Sequence, residues 1–96
     1  MSYKEYDKAW KLLEATGWCQ QEFARDKQSD IVDYRSEEAC QFCILGAINR
    51  VYLDTKHHSI LDNHLLQKGI HDVVEWNDNP ERTKEEVIEL LKELDI

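Results

Sequence analysis

The chain has 96 residues, which suits one domain spanning residues 1–96, and 42% of them are hydrophobic, which is enough for a core. Its formal net charge of −8 argues against direct binding to nucleic acid or to an anionic membrane, because phosphate binding needs clustered Lys and Arg. One Pro and three Gly argue against disorder and against an all-β fold rich in turns.

The lack of targeting signals and the cysteine content together predict a cytoplasmic protein. No apolar run is long enough to span a membrane, and the N-terminus has no signal-peptide pattern. The chain has three cysteines, and an odd number fits reduced thiols better than a disulfide scaffold.

The first third of the chain predicts one helix and then a minor hairpin. Ser2 and Glu5 form a capping-box pattern, so the helix is expected to begin at Tyr3. Gly17 is the natural residue to end it. Apolar residues at helical spacing give it a buried face: Tyr6, Trp10 and Leu13. Short alternating segments then predict a two-stranded hairpin at 19–34.

The middle of the chain predicts a central helix at about 37–53. Ser36 can cap it, and nearly every residue from Ala39 to Ile48 is apolar, which is typical of a helix buried on most faces. Gly46 lies in its middle. A glycine there costs about 1 kcal/mol relative to alanine, so we expect a packing reason, such as the close approach of another helix.

The last part of the chain predicts further helices joined by polar segments. Residues 54–58 are expected to form a loop, Ser59 to open a third helix and Gly69 to end it. A short helical face follows over 70–76. The whole pattern predicts a mostly α fold, a compact bundle of four to five helices around the central apolar helix.

A polar turn and a capped helix follow that short helical face. Asn77, Asp78 and Asn79 are expected to bond their own backbone in the turn, and Pro80 to set its φ. Thr83 and Glu86 form a capping-box pattern that opens the last helix. Arg82 is close enough in sequence to pair with Asp78.

The cysteines suggest one alternative function. Cys40 and Cys43 form a single CxxC, which supplies only two of the four ligands that a structural zinc site needs. At this spacing on a helix, both sulfurs would lie on one face and pack as small hydrophobic groups. We therefore assign no metal or cofactor, and keep Cys40, Cys43 and Cys19 as candidates for a metal-binding or thiol-based module. No recognisable catalytic motif is present, which favours a non-enzymatic role.

The last helix has an unusual charge pattern. Glu85, Glu89 and Glu93 are four residues apart and form one like-charge stripe, which destabilises an isolated helix. A solvated face that aids solubility is the simpler explanation. The functional alternative is a docking surface for a protein with a basic surface, with Trp76 as an aromatic anchor and Asp78 beside it.

Three motifs in the same order resemble an uncharacterised family of small bacterial and phage domains: Gly17-Trp18-Cys19-Gln20, Phe42-Cys43-Ile44-Leu45-Gly46-Ala47-Ile48, and Trp76-Asn77-Asp78-x-Pro80-x-Arg82-Thr83. Phe23-Ala24-Arg25-Asp26 adds to the resemblance. The resemblance implies a small helical domain from a prokaryote or phage, and it implies no activity and no catalytic residues.

Our first hypothesis is therefore a non-enzymatic acidic interaction protein, associated with phage, that binds a basic, nucleic-acid-handling protein, either as its inhibitor or as an adaptor. The partner-binding candidates are Trp76, Asp78, Glu85, Glu89 and Glu93. The alternatives are the cysteine module and a structural homo-oligomer that shares its central apolar helix between chains.

Overall fold

The computed structural model describes residues 6–53 and 55–96, which form five helices and a small three-stranded sheet. The helices are α1 (Ala9–Ala15), α2 (Ile44–Tyr52), α3 (Lys56–Gln67), α4 (Val73–Asp78) and α5 (Lys84–Leu94). The strands are β1 (Gly17–Trp18), β2 (Ala24–Arg25) and β3 (Gln41–Phe42). The prediction of a mostly α fold with a minor β component is confirmed. Within these residues, no helix is long and apolar enough to cross a membrane.

The core lies where α1 packs against α2 and α5, and α3 packs against α2. Apolar residues of the helices supply most of its fully buried side chains: the neighbours Leu12 and Leu13, and three pairs one helical turn apart, Ile44 and Ile48, Leu61 and Leu65, and Val87 and Leu91. Burying a side chain of this size contributes about 1.5–3 kcal/mol each. The helical spacing of apolar residues therefore stabilises the bundle, but the buried face of α1 differs from the predicted one: Ala9, Leu12 and Leu13 are buried, whereas Tyr6 and Trp10 are only half-buried.

The first helix begins later than its sequence pattern suggested. Ser2, Tyr3 and Glu5 lie outside the described residues. The segment 6–8 is not helical, and α1 begins at Ala9 with no side-chain cap. The amide of Ala9 instead donates to the carbonyl of Ile96, 2.9 Å away. The C-terminus of the chain thus satisfies an N–H group that an N-cap side chain usually accepts.

The predicted central helix at 37–53 is too long, because residues 37–43 form a turn and the short strand β3 instead. β3 is the middle strand of the sheet, parallel to β1 and antiparallel to β2. Helix α2 begins only at Ile44, after Cys43, whose Sγ accepts a hydrogen bond from the amide of Gly46 at 3.2 Å. A continuous apolar run does not by itself distinguish a buried strand from a buried helix.

The minor hairpin differs in its bounds from the predicted one at 19–34. Residues 19–23 form an irregular loop, and Gln21 has a positive φ of 74°. The return of the chain is present as one bridge between Arg25 and Ile31. Gly17 does not act as a left-handed helix terminator, since it lies in β1.

The segment predicted as a loop at 54–58 is largely helical. Helix α3 begins at Lys56 rather than at Ser59, and the ring of His57 stacks on Tyr52 with centroids 3.6 Å apart. Asp54 lies outside the described residues. Gly69 ends this part of the chain with φ +82°, as its position predicted.

The polar turn before the last helix begins later than predicted, because residues 77 and 78 belong to α4. The capping box of α5 is confirmed. The amide of Thr83 donates to Glu86 Oε1 at 2.9 Å, and the amide of Glu86 donates to Thr83 Oγ1 at 3.2 Å. This reciprocal pair fixes where the acidic helix begins.

The packing reason expected for Gly46 is present, but it is a loop rather than a helix. A Cβ at Gly46 would lie 2.8 Å from the carbonyl carbon of Phe23 and closer still to its oxygen. The loop between β1 and β2 therefore lies directly on α2, and only glycine permits this contact.

We predict that Gly46→Ala destabilises the protein by at least about 2 kcal/mol, although helix propensity alone favours alanine by about 1 kcal/mol. Thermal denaturation should show a melting temperature lower by about 10 °C. Ser59→Ala, at an exposed position of α3, is the matched control and should leave the melting temperature unchanged or slightly raised. An unchanged melting temperature for Gly46→Ala would contradict the contact with Phe23.

Candidate functional site around helix α4

The side chain of Asn77 joins α4 to two other parts of the fold. It is only 2% exposed. Its Oδ1 accepts from the indole N–H of Trp18 at 2.9 Å and from the amide of Ile44 at 3.0 Å. Its Nδ2 donates to the carbonyl of Cys19 at 3.3 Å and to Asp78 Oδ1 at 3.0 Å. All the hydrogen-bonding capacity of this amide is thus used inside the molecule.

A second set of contacts binds the end of α4 to the loop after β1. Gln20 Nε2 donates to the carbonyls of Asn77 and Asn79, at 3.0 and 2.8 Å. Asp78 Oδ1 accepts from the amide of Gln21 at 2.9 Å. The predicted partner-binding residue Asp78 is therefore engaged in the fold through this oxygen. The three motifs of the sequence resemblance meet at this point.

Sequence reasoning missed the role of Asn77, which it assigned to a local turn. The sequence feature that could have revealed this role is the spacing of Asn77 from Val73. Asn77 follows Val73 by four residues and so lies on the inward face of a short helix. A polar side chain at such a position needs buried partners.

The groove between α5 and the α3–α4 region brings four predicted residues together. It measures about 630 Å³, and Trp76, Glu85, Glu89 and Glu93 all line it. Its apolar lining consists of Leu65, Ile70 and Leu90 together with the Trp76 ring. Asp78 does not line this groove; it lies at a separate pocket on the other side of α4. We call the first concavity the α5 groove.

Trp76 is held in the α5 groove by Arg82. The guanidinium carbon of Arg82 lies 4.0 Å from the centroid of the indole, and Nε donates to the Trp76 carbonyl at 2.9 Å. Arg82 Nη1 also contacts Glu86 Oε2 at 3.1 Å, so the predicted Arg82–Asp78 pair is replaced by a pair between Arg82, which precedes α5, and Glu86 in the first turn of α5. The half-buried Trp76 ring is thereby positioned by a cation on one face.

The three carboxylates of the stripe are not equivalent. Glu93 contacts Lys68 Nζ at 3.1 Å, and this ammonium group holds the pKa of the Glu93 carboxyl below its ordinary value. Within the described part of the chain, Glu85 and Glu89 form no ion pair. One end of the stripe is thus neutralised internally, and the other end keeps its charge.

The cysteines do not lie on one helix face, as their spacing had suggested. Cys40 and Cys43 flank strand β3, and Cys43 is the N-cap of α2. Cys19 follows the neighbouring parallel strand β1. Burial, and next the neighbouring Cys43, raise the pKa of Cys19 to about 12, and burial raises the pKa of Cys43. These two thiols are therefore protonated at neutral pH, which is typical of structural rather than reactive cysteines.

Across residues 6–53 and 55–96, no group of three or more His, Cys, Asp or Glu side chains is arranged to hold a metal ion. All three cysteines are free thiols. The α5 groove brings together four of the residues predicted from the sequence and is the candidate site.

The chain belongs to a family of unknown function: the family model, "Family of unknown function (DUF6197)", matches residues 5–94. The prediction that the chain belongs to an uncharacterised family is confirmed. No curated protein and no solved structure matches the chain.

We predict that Asn77→Ala destabilises the protein by about 3 kcal/mol. It leaves the Trp18 indole N–H, the Ile44 amide and the Cys19 carbonyl without their partner, and each unsatisfied buried group costs about 1–3 kcal/mol. Urea denaturation would measure the loss. Asn63→Ala, at an exposed position of α3, should change the free energy of unfolding by no more than about 0.5 kcal/mol. Equal effects of the two substitutions would refute the joining role of Asn77.

The pKa of Cys19 predicts a loss of stability at alkaline pH. The folded protein releases the thiol proton near pH 12, whereas a free thiol releases it near 9.0. The contribution to stability is therefore complete below pH 9.0 and declines as the pH rises towards about 12. Urea denaturation at about pH 8 and about pH 10 should show a smaller decline for Cys19→Ala than for wild type. Ser59→Ala is the control and should decline like wild type; a wild-type decline in Cys19→Ala would contradict the assignment.

Proposed function

We propose that this chain is a non-enzymatic acidic interaction protein, and that its α5 groove binds a basic segment of a protein partner. The observation that supports this most is the shared location of the aromatic anchor and the stripe. Trp76 and the carboxylates of Glu85, Glu89 and Glu93 line one groove with an apolar floor. A surface that served solubility alone would not need an apolar floor beneath its charges.

The partner's chemistry follows from the spacing of charges. Successive stripe carboxylates are one helical turn apart, so their Cα atoms are separated by about 6 Å along the axis. Lys or Arg side chains on one face of a partner helix have the same repeat. The proposed partner segment therefore carries cations at this repeat. Between them it carries an apolar side chain that packs on the Trp76 ring.

Nucleic-acid-handling proteins are the partner class we propose, because their phosphate-binding surfaces are rich in Lys and Arg. Occupation of such a surface by the stripe would inhibit nucleic-acid binding. We place this activity in the cytoplasm and in a phage or its bacterial host. The free thiols support the cytoplasmic assignment, since reduced cysteines are typical of that compartment.

The distribution of internal cations supports docking at the Glu85–Glu89 end. Lys92 also lines the groove, but its Nζ lies 3.1 Å from Glu14 Oε2 and so forms an ion pair with α1. Lys68 forms an ion pair with Glu93. A partner cation would therefore meet uncompensated charge beside Glu85 and Glu89.

The test compares two triple variants that change net charge equally. Glu85→Gln/Glu89→Gln/Glu93→Gln removes the stripe, and Asp30→Asn/Glu37→Gln/Glu38→Gln removes three exposed carboxylates elsewhere. Tagged wild type and both variants are used to capture proteins from bacterial lysate, and mass spectrometry identifies them. We expect a basic, nucleic-acid-binding protein to be retained by wild type and by the control, and to be lost by the stripe variant.

Binding of the captured partner is then measured by titration at several salt concentrations. The stripe variant should bind at least about fivefold more weakly, since the two ion pairs at Glu85 and Glu89, of about 0.5 kcal/mol each, amount to about 1 kcal/mol. The difference should shrink at high salt. Equal losses in the two variants would mean that net charge alone acts, and equal capture by all three proteins would overturn the groove as the binding site. A stable dimer mass by light scattering would instead favour the homo-oligomer.

A further inference from the structure

Helix α4 separates the α5 groove from a second concavity on its other side. This pocket measures about 160 Å³ and lies between the loop after β1, the beginning of α2, and α4. Its apolar lining is formed by Phe23, Ile44, Leu45 and Val74. Phe23 is 49% exposed and Val74 is 51% exposed, so two large apolar side chains stand at its rim. We call this concavity the α4 pocket.

The floor of the α4 pocket offers no charged group to an occupant. Cys43 lines it with a buried thiol whose pKa is raised by burial, so the sulfur is uncharged at neutral pH. Asn77 also lines it, and its amide is already engaged with Trp18, Ile44 and Cys19. A polar occupant would find few partners there, whereas an apolar one would lose no hydrogen bond.

The rim of the α4 pocket is negatively charged. Glu22 and Asp78 belong to its lining, and no Lys or Arg is among the described residues that line it. Asp78 uses Oδ1 for the amide of Gln21 and for Asn77, which leaves Oδ2 for an outside donor. An occupant that carries a cation beside its apolar group is therefore favoured over one that carries an anion.

The size of the pocket limits the occupant further. Sites for drug-sized ligands and cofactors occupy about 300–1,000 Å³, and the pocket is smaller than this range. Its volume suits one large aromatic or aliphatic side chain. Such side chains are the usual anchors of protein interfaces, where a single one fills a pocket on the partner.

We propose that the α4 pocket receives one large apolar side chain of a protein partner, flanked in the partner's sequence by Lys or Arg. This goes beyond the α5 groove, because the pocket lies on the opposite side of α4 and uses none of the stripe residues. Glu22 and Asp78 would meet the flanking cation, and Phe23 and Val74 would cover the apolar side chain.

The test uses three capped tripeptides as probes: Lys-Trp-Lys, Glu-Trp-Glu and Lys-Ser-Lys. Each is titrated into the ¹⁵N-labelled full chain, and amide shifts are followed by NMR. The chain carries Glu85→Gln/Glu89→Gln/Glu93→Gln, so that failure of the α5 groove does not affect the result. We expect Lys-Trp-Lys to give saturable shifts at Phe23, Ile44 and Val74.

The other two probes separate the two parts of the proposal. Glu-Trp-Glu should bind at least about threefold more weakly than Lys-Trp-Lys at low salt, because its carboxylates face those of the rim. Lys-Ser-Lys should give no saturable shift at the pocket. Equal binding of Lys-Trp-Lys and Glu-Trp-Glu would overturn the charged flank, and equal binding of Lys-Ser-Lys would overturn the apolar anchor.

Two substitutions at half-exposed apolar positions provide the matched pair. Val74→Phe fills the pocket from its rim and should weaken Lys-Trp-Lys at least about fivefold, because the occupant's apolar contact area is lost. Leu66→Phe makes the same kind of change on α3, away from the pocket, and should leave binding unchanged. Equal affinities for the two variants would overturn the proposal, as would shifts confined to the α5 groove or broadening that shows a second copy of the chain in the pocket.

Discussion

The fold depends most on the buried amide of Asn77. It joins the short helix α4 to the end of β1 and to the beginning of α2, through three hydrogen bonds of 2.9–3.3 Å. A six-residue helix is too short to be stable alone, so tertiary contacts must fix its position. Because the amide binds backbone groups as well as the Trp18 indole, it also satisfies a donor at the N-terminus of α2 that the helix itself cannot satisfy. One side chain thus specifies where three segments meet.

Both candidate surfaces follow from this position of α4. The helix is a ridge with Trp76 on the side of the α5 groove and Val74 on the side of the α4 pocket. Residues 74 and 76 are separated by about 200° around a helix axis, so they necessarily point to different sides. Since Asn77 fixes the rotation of the helix, it also fixes which side chain enters each concavity. The structural role of Asn77 and the two binding proposals are therefore linked through one helix.

The sequence predicted those elements that depend on local physics. The capping box at Thr83 and the left-handed residue Gly69 were found because their signals lie within a few residues of the element they terminate. Prediction from the sequence failed where contacts with residues distant in the chain determine the secondary structure. Strand β3 was read as helix because Gln41 and Phe42 acquire their extended conformation from pairing with segments 16–24 residues away, and the beginning of α1 depends on the C-terminal Ile96. The groove residues could be named from charge spacing and aromaticity, but their meeting in one concavity depends on packing between α3, α4 and α5.

The like-charge stripe lowers the stability of α5 as an isolated helix, but tertiary packing determines whether α5 forms. Glu85, Glu89 and Glu93 disfavour α5 as an isolated helix, yet α5 buries Val87, Ile88, Leu90 and Leu91 on its other side. Repulsion of a few tenths of a kcal/mol per pair is small beside the burial of four such side chains, which contributes several kcal/mol. The helix is therefore stable whatever its exposed face carries. The composition of that face is free to serve another requirement, and the neutralisation of Glu93 by Lys68 leaves the remaining charge next to Trp76 rather than spread along the whole helix.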